Sequence, residues 1–170
     1  WVMQSNESCT AKGTGGAGVA FLIHNSVAAE VVHKPACCEA IGTRMRSVDG
    51  LGGRDLFILG AHVHPEKSKK GEEKTSYEKE TRIMVEEWMA VCRRVSGEEM
   101  PCVMFLGDWN ARHTDWCAKT NAHGKMVQQL FREEEVVMGN TTRATCYRPN
   151  GSSNVDVVAY TGECMSLVDR

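Results

Sequence analysis

Several things are scarce in this 170-residue chain, and each scarcity excludes something. Net charge is only −2, with 20 Lys and Arg against 22 Asp and Glu, so no global basic field can hold nucleic acid by charge alone. Any such contact must come from local patches: Lys67, Lys69, Lys70 and Lys74 in one loop, and Arg112, Lys119 and Lys125 further on, although a charged loop is commonly just a solvated one. CxxC spacing is missing. Cys37 and Cys38 are adjacent, and the other six of the eight cysteines are scattered, which gives neither a zinc framework nor a disulfide pattern and points to a reducing, intracellular compartment. Cys92 and Cys102 sit in apolar segments and are most simply small core hydrophobes. No signal peptide, targeting run or membrane-spanning stretch is visible, so a membrane partner is not expected. Neither repeats nor a low-complexity linker divide the chain, and 42% hydrophobic residues suffice for one core. The chain starts at Trp1 rather than Met and stops at Arg170 just after a strand-like segment, so residues 1–170 are read as one partial domain.

What is present is concentrated in FLGDWNARHT, Phe105 to Thr114. The apolar run Val103 to Leu106 predicts a buried strand that stops at Gly107. Asp108 and Asn110 lie two positions apart, so continued extension would send both side chains to the same side. A carboxylate beside a carboxamide suits work on a phosphate: the acid orients a water or holds a hard cation, and the amide donates to a phosphoryl oxygen without adding charge. Arg112 and His113 add positive or titratable groups nearby. The alternative is a strand-to-loop turn in which Asp and Asn satisfy backbone donors.

Around that motif, strands are predicted at Val19 to His24, Ala28 to Val32, Ile41 to Ser47 and Leu56 to Val63, the last two joined through Asp49-Gly50 and Gly52-Gly53 as part of an antiparallel meander. The period then changes. Thr75-Ser76-Tyr77-Glu78 fits a capping box with Thr75 as N-cap, and Tyr77, Thr81, Met84, Trp88, Cys92 and Val95 recur at helical spacing up to the stop signal Gly97. Trp88 is a core residue on this pattern, not a stacking platform. A shorter helix includes Met126, Val127, Leu130 and Phe131, and strands follow at Val136 to Met138, Ala144 to Tyr147 and Val155 to Tyr160. This order predicts an α/β sandwich with sheets inside and helices outside.

Two other patterns carry less. Gly13 to Gly18 matches GxGxxG by letter, but a dinucleotide loop follows a strand and opens a helix, whereas these glycines lead into a strand and Gln4 to Glu7 is polar with no strand predicted upstream. His62 and His64 form a His-x-His pair for which spacing supplies no third zinc ligand.

With its flanking segments included, the chain resembles the endonuclease/exonuclease/phosphatase superfamily, the DNase I-like metal-dependent phosphodiesterases. GDWNARH at Gly107 to His113 is similar to that family's GD(F/W)NAxH signature. GGAGVAFLI at Gly15 to Ile23 resembles its glycine-led strand, AHVHP at Ala61 to Pro65 sits where members carry Tyr-x-Pro, and SNVDVVAY at Ser153 to Tyr160 resembles the stretch ending in Ser-x-(Ile/Val)-Asp. The tight spacing, with Trp116 close behind the central motif, looks most like the endonuclease domain joined to reverse transcriptase in non-LTR retrotransposons.

The resemblance implies a DNase I-like four-layer α/β sandwich with two mixed β-sheets, truncated at both ends. It implies a DNA-nicking hydrolase using Mg2+ or Mn2+, a DNA substrate, a reverse transcriptase domain in the same parent chain and nuclear residence. By residue, Asp108 orients and helps deprotonate the attacking water or sits near the metal, Asn110 holds the scissile phosphate, and Asp156 supports a catalytic His. His62 stands where the family's phosphate-contacting Tyr is expected, and His113 and Arg112 are site-adjacent substrate contacts. The family's metal-binding Glu, in a Gln-Glu-Thr context, is not matched by Glu7, and its C-terminal Ser-Asp-His does not occur before Arg170. Residues 1–170 alone are therefore expected to have little or no nuclease activity. Two other functions fit the same resemblance: a phosphoinositide or sphingolipid phosphodiesterase, and a degenerate non-catalytic domain that serves as a binding module.

Overall fold

The computed structural model describes residues 1–6, 19–35, 39–63, 74–139, 146–148, 151–153 and 156–168. The Lys67 to Lys70 loop, His64 and the glycine cluster at 13–18 lie outside the described residues.

The two periods in the sequence build two halves of one sandwich. A hairpin of β1 (Val2–Asn6) and β2 (Val19–Ile23) precedes the meander β3 (Ala29–His33), β4 (Glu39–Val48) and β5 (Arg54–His62). Helix α1 (Lys74–Ser96) then crosses over to β6 (Cys102–Asp108), α2 (Ala122–Glu133) leads to β7 (Val136–Met138), and β8 (Cys146–Arg148), β9 (Gly151–Ser153), β10 (Asp156–Thr161) and the one-turn α3 (Met165–Val168) follow. Six strands form a mixed sheet in the order β3-β4-β5-β6-β10-β7. Only β5 and β6 run parallel within it, which is the geometry a helical crossover permits.

The central strands are apolar on both faces because each face has its own cover. Phe57, Leu59, Ala61, Val103 and Phe105 alternate toward α1 and α2, where they meet Met84, Trp88, Val127, Leu130 and Phe131. Leu56, Ile58, Cys102 and Tyr160 face the other way and pack with Phe21 of β2 and Leu167 of α3. The antiparallel β1–β2 sheet lies on that second face, tied to β4 by a 2.8 Å hydrogen bond from the Thr43 hydroxyl to Gln4 Oε1. Helices, large sheet and small sheet make three sandwich layers among the described residues.

Two local differences from the sequence reading have clear causes. β1 occupies the polar stretch read as strandless: Val2 and Met3 are exposed, so backbone pairing with β2 and the Gln4–Thr43 bond hold it, and neither leaves an apolar period to detect. A strand therefore does lie upstream of the glycine cluster, but Val19 opens strand β2 rather than a helix, so the dinucleotide pattern still fails. Helix α1 begins at Lys74, which puts Thr75 inside its first turn rather than at the N-cap. Its other end is as predicted, with the Gly97 N–H donating to the Arg93 carbonyl at 2.9 Å.

Candidate active site

One end of the six-stranded sheet collects four ionisable side chains in a row. Glu39, the first residue of β4, pairs directly with His62, the last of β5. Asp108, the last of β6, pairs directly with Asp156, the first of β10. The parallel β5–β6 register joins the two halves: Gly60 pairs with Leu106, and two residues further on His62 and Asp108 stand side by side. Alternation along the strands turns all four toward the face opposite the helices. Neighbouring strands lie about 4.8 Å apart, so the row spans about 15 Å, and the two aspartates, directly opposite each other, have Cβ atoms about 5 Å apart.

Each member is held by its own contacts. Trp109, fully buried, drops into the helix-side core edge-on to Phe105 and Phe131, with centroids 5.9 and 5.5 Å away, and so anchors the end of β6. Gly107 adopts φ 125°, and a Cβ there would sit 2.0 Å from the Ala61 carbonyl oxygen; no other residue lets the two strand ends approach this closely. Val63 is stitched to the motif from both sides. Its N–H donates to the Asp108 carbonyl at 2.8 Å, and its own carbonyl accepts from Asn110 Nδ2 at 2.8 Å. His62 Nδ1 lies 2.7 Å from Oε2 of the buried Glu39, which fixes the ring.

Asn110 does not continue the strand. β6 ends at Asp108, and Asn110 takes a left-handed backbone, φ 48°, that Asn tolerates better than most residues. Extension fails here because Trp109 is drawn into the core. The chain turns instead, and Asp108 Oδ1 accepts the Asn110 N–H at 3.0 Å. The backbone-serving turn is thus present, and it joins the acid to Asn110 through the main-chain N–H rather than through the shared strand face that the spacing predicted. One N–H of the Asn110 carboxamide is committed to Val63, which leaves the second and the oxygen for a ligand.

His113 and Arg112 stand apart from the row. The His113 ring lies tilted on Trp116, centroids 5.3 Å apart, and its Nδ1 accepts the Asp115 N–H at 3.2 Å. The Asp115 carboxylate is 3.3 Å from that same nitrogen, a contact that becomes an ion pair only on protonation; the backbone N–H, always a donor, defines the neutral arrangement. Arg112 Nε is buried and has no hydrogen-bond partner among the described residues.

Four participants escaped the sequence reading. Glu39 lies 23 residues from His62, and only register joins them. Asn121, His123 and Gly124 open α2 against the 110–112 loop. His123 is buried, its Nε2 3.3 Å from the Thr81 hydroxyl, and burial pushes its pKa down to about 4 against a bond to the Asn110 backbone. The only signal available was Asn followed three residues later by a helix-start Gly, a weak one.

The donor chemistry suits a hard divalent cation. Asp108 and Asp156 offer carboxylate oxygens from adjacent strands, and a magnesium site is commonly completed by waters and a substrate phosphate rather than by a full protein cage. No cluster of three or more His, Cys, Asp or Glu suited to a metal occurs among the described residues. A sequence model of the endonuclease-reverse transcriptase family matches residues 66–168, more than half of the chain.

The chain belongs to the endonuclease-reverse transcriptase family.

Solved structures agree on the fold of this endonuclease-reverse transcriptase member. The endonuclease domain of TRAS1, a telomere-specific non-LTR retrotransposon, is 19% identical and superposes with a TM-score of 0.66, covering 97% of this chain and 69% of that one. A mannosyl-6-phosphatase from Bacteroides thetaiotaomicron, 10% identical, superposes with a TM-score of 0.54, covering 94% of this chain and 63% of that one. No curated protein matches the chain. The family and fold are those of hydrolases acting on phosphate esters. No helix among the described residues is long and apolar enough to cross a membrane.

Proposed function

We propose that this chain is the endonuclease portion of a retrotransposon protein, that it nicks DNA with Mg2+ (Mn2+ substituting), and that it works in the nucleus in one polypeptide with a reverse transcriptase. The observation that carries the proposal is the Asp108–Asp156 pair. Like charges directly opposite on adjacent strands are destabilising. Two carboxylates side by side at the rim of an otherwise apolar sheet suit a cation and a phosphodiester between them.

In this proposal Asp108 orients the attacking water and takes its proton, and its Oδ1 bond to the Asn110 N–H fixes the carboxylate's direction. Asn110 presents its second amide N–H to a phosphoryl oxygen, where the neutral donor gains strength as charge develops. Asp156, together with Asp108, would hold a bound cation. His62, whose ring is oriented by Glu39, contacts the phosphate in place of a tyrosine hydroxyl. Arg112, half-buried, offers the outer end of its guanidinium to a phosphate of the strand, and His113 borders that track. A bound magnesium ion would supply charge neutralisation at the phosphate.

Nicking of supercoiled plasmid tests this directly. With magnesium, the protein extended to its reverse transcriptase should convert supercoiled to open-circular DNA, and EDTA or Asp108→Ala should reduce conversion to background. Residues 1–170 alone should nick poorly. Absence of nicking by the extended protein refutes the endonuclease proposal, and vigorous nicking by residues 1–170 refutes the need for further flanking groups.

A further inference from the structure

Three residues of the first turn of α2 converge on the loop that follows Asp108. The Asn121 side chain makes three hydrogen bonds. Its Oδ1 accepts from Gly124 N at 2.7 Å, which caps the helix, and from Arg112 N at 3.1 Å, while Nδ2 donates to the Asn110 carbonyl at 3.2 Å. The Asn121 N–H adds a fourth bond, to the Arg112 carbonyl at 3.0 Å. His123 also bonds the Asn110 backbone and reaches Thr81 on α1. At Gly124 a Cβ would lie 1.8 Å from the Arg112 carbonyl oxygen, so only glycine lets the helix start seat against the loop.

We propose that Asn121 is a positioning residue for phosphodiester cleavage, one that sets the Asp108–Asn110 turn by gripping the Asn110 main chain. This rests on the endonuclease proposal above. Helix capping alone does not explain the choice of residue, because Asp, Ser and Asn cap about equally well. Asp has no donor for the Asn110 carbonyl, and Ser would have to serve all three partners from one short hydroxyl, whereas the carboxamide divides them between two atoms, Oδ1 for both N–H groups and Nδ2 for the carbonyl. The amide orientation is set by those partners, since the reverse flip would turn NH2 toward two N–H donors. Asn121 is exposed, so its bonds serve the geometry of the loop and not the core. Without the grip, Asn110 relaxes from its left-handed backbone, and both its second amide N–H and the N–H that aims Asp108 Oδ1 swing away.

Asn121→Asp separates the two roles. It keeps the cap and the acceptor for Arg112 but turns a carboxylate oxygen toward the Asn110 carbonyl. In the nicking-competent protein Tm should stay within about 2 °C of wild type. The kcat should fall by about 10- to 100-fold with KM changed less than about twofold, since a misplaced catalytic turn costs the chemical step. In NMR spectra of the protein, the Asn110 Cα and Cβ shifts should leave their left-handed values while the α2 shifts hold. Wild-type kcat in Asn121→Asp, or unmoved Asn110 shifts, overturns the proposal. Should the wild-type protein fail to nick, the endonuclease proposal falls, and the Asn110 shifts alone decide on the grip. Asn121→Ser, which also caps but whose hydroxyl is shorter than the amide arm that reaches the Asn110 carbonyl, replaces the Asp variant if that one does not fold, with the same outcomes on both sides.

Discussion

Acid should unfold this protein through a single imidazole more than through any surface pair. His123 is buried between α1 and the candidate site, and burial holds its pKa near 4, against about 6.5 in an unfolded chain. The sign follows from which state binds the proton. Between pH 6.5 and 4 the unfolded chain carries an imidazolium while the folded one stays neutral, so stability is complete above pH 6.5 and is lost as pH falls through that window. The difference of about 2.5 units corresponds to about 3 kcal/mol, a large share of the 5–15 kcal/mol that typically holds a domain. Urea unfolding at pH 7.5, 6, 5 and 4 should give midpoints that fall steadily, with a slope near pH 5 of about 1.4 kcal/mol per unit from this residue alone. Burial also lowers the pKa of His33, and Arg46 lowers that of the exposed Glu30, so both add acid sensitivity of their own. His123→Gln subtracts them: whatever its stability at pH 7.5, the variant should lose about 3 kcal/mol less than wild type between pH 7.5 and 4. Parallel curves for the two proteins would refute a neutral, proton-excluding His123.

Three substitutions probe the parts that aim the site. Gly107→Ala should cost more than about 3 kcal/mol in urea unfolding, because it combines a forbidden φ with a 2.0 Å clash against the Ala61 carbonyl; an unchanged midpoint would show that the strand ends can part freely. Trp109→Ala should cost about 3–5 kcal/mol by emptying the space against Phe105 and Phe131, and Asn110 should lose its left-handed NMR shifts as the anchor goes; retention of both contradicts the anchoring role. Arg112→Ala should weaken DNA binding about equally for all sequences and reduce the slope of log K against log salt by about 1; an unchanged slope removes Arg112 from the phosphate track.

How much of this was legible in the sequence depended on the range of the interaction. The run Val103 to Leu106 announced its strand because both faces of β6 are buried, and α1 announced itself through Thr81, Met84, Trp88 and Cys92, all buried on one side. Asp108 was placed correctly at the strand's end. Its partner Asp156 was identifiable only through the family resemblance, since a pairing across 48 residues is written in sheet register and leaves no local trace. The same holds for Glu39 beside His62. Asn110 defeated the period-two argument because a buried neighbour, Trp109, outweighed the tendency to stay extended. β1 left no apolar pattern at all, being held by backbone bonds and one side-chain bond to Thr43. Asn121 needed the fold to show that one short amide serves a helix and a loop at once.

The central claim is that Asp108 and Asp156, facing each other across β6 and β10, hold one divalent cation for phosphodiester hydrolysis. Manganese soaked into crystals of the protein measures this most directly, because its anomalous signal locates the ion without reference to activity. The claim predicts a single strong peak between the two carboxylates, with oxygens of both at about 2.2 Å, and loss of that peak in Asp156→Asn. A peak elsewhere on the protein, or one that survives Asp156→Asn undiminished, contradicts it.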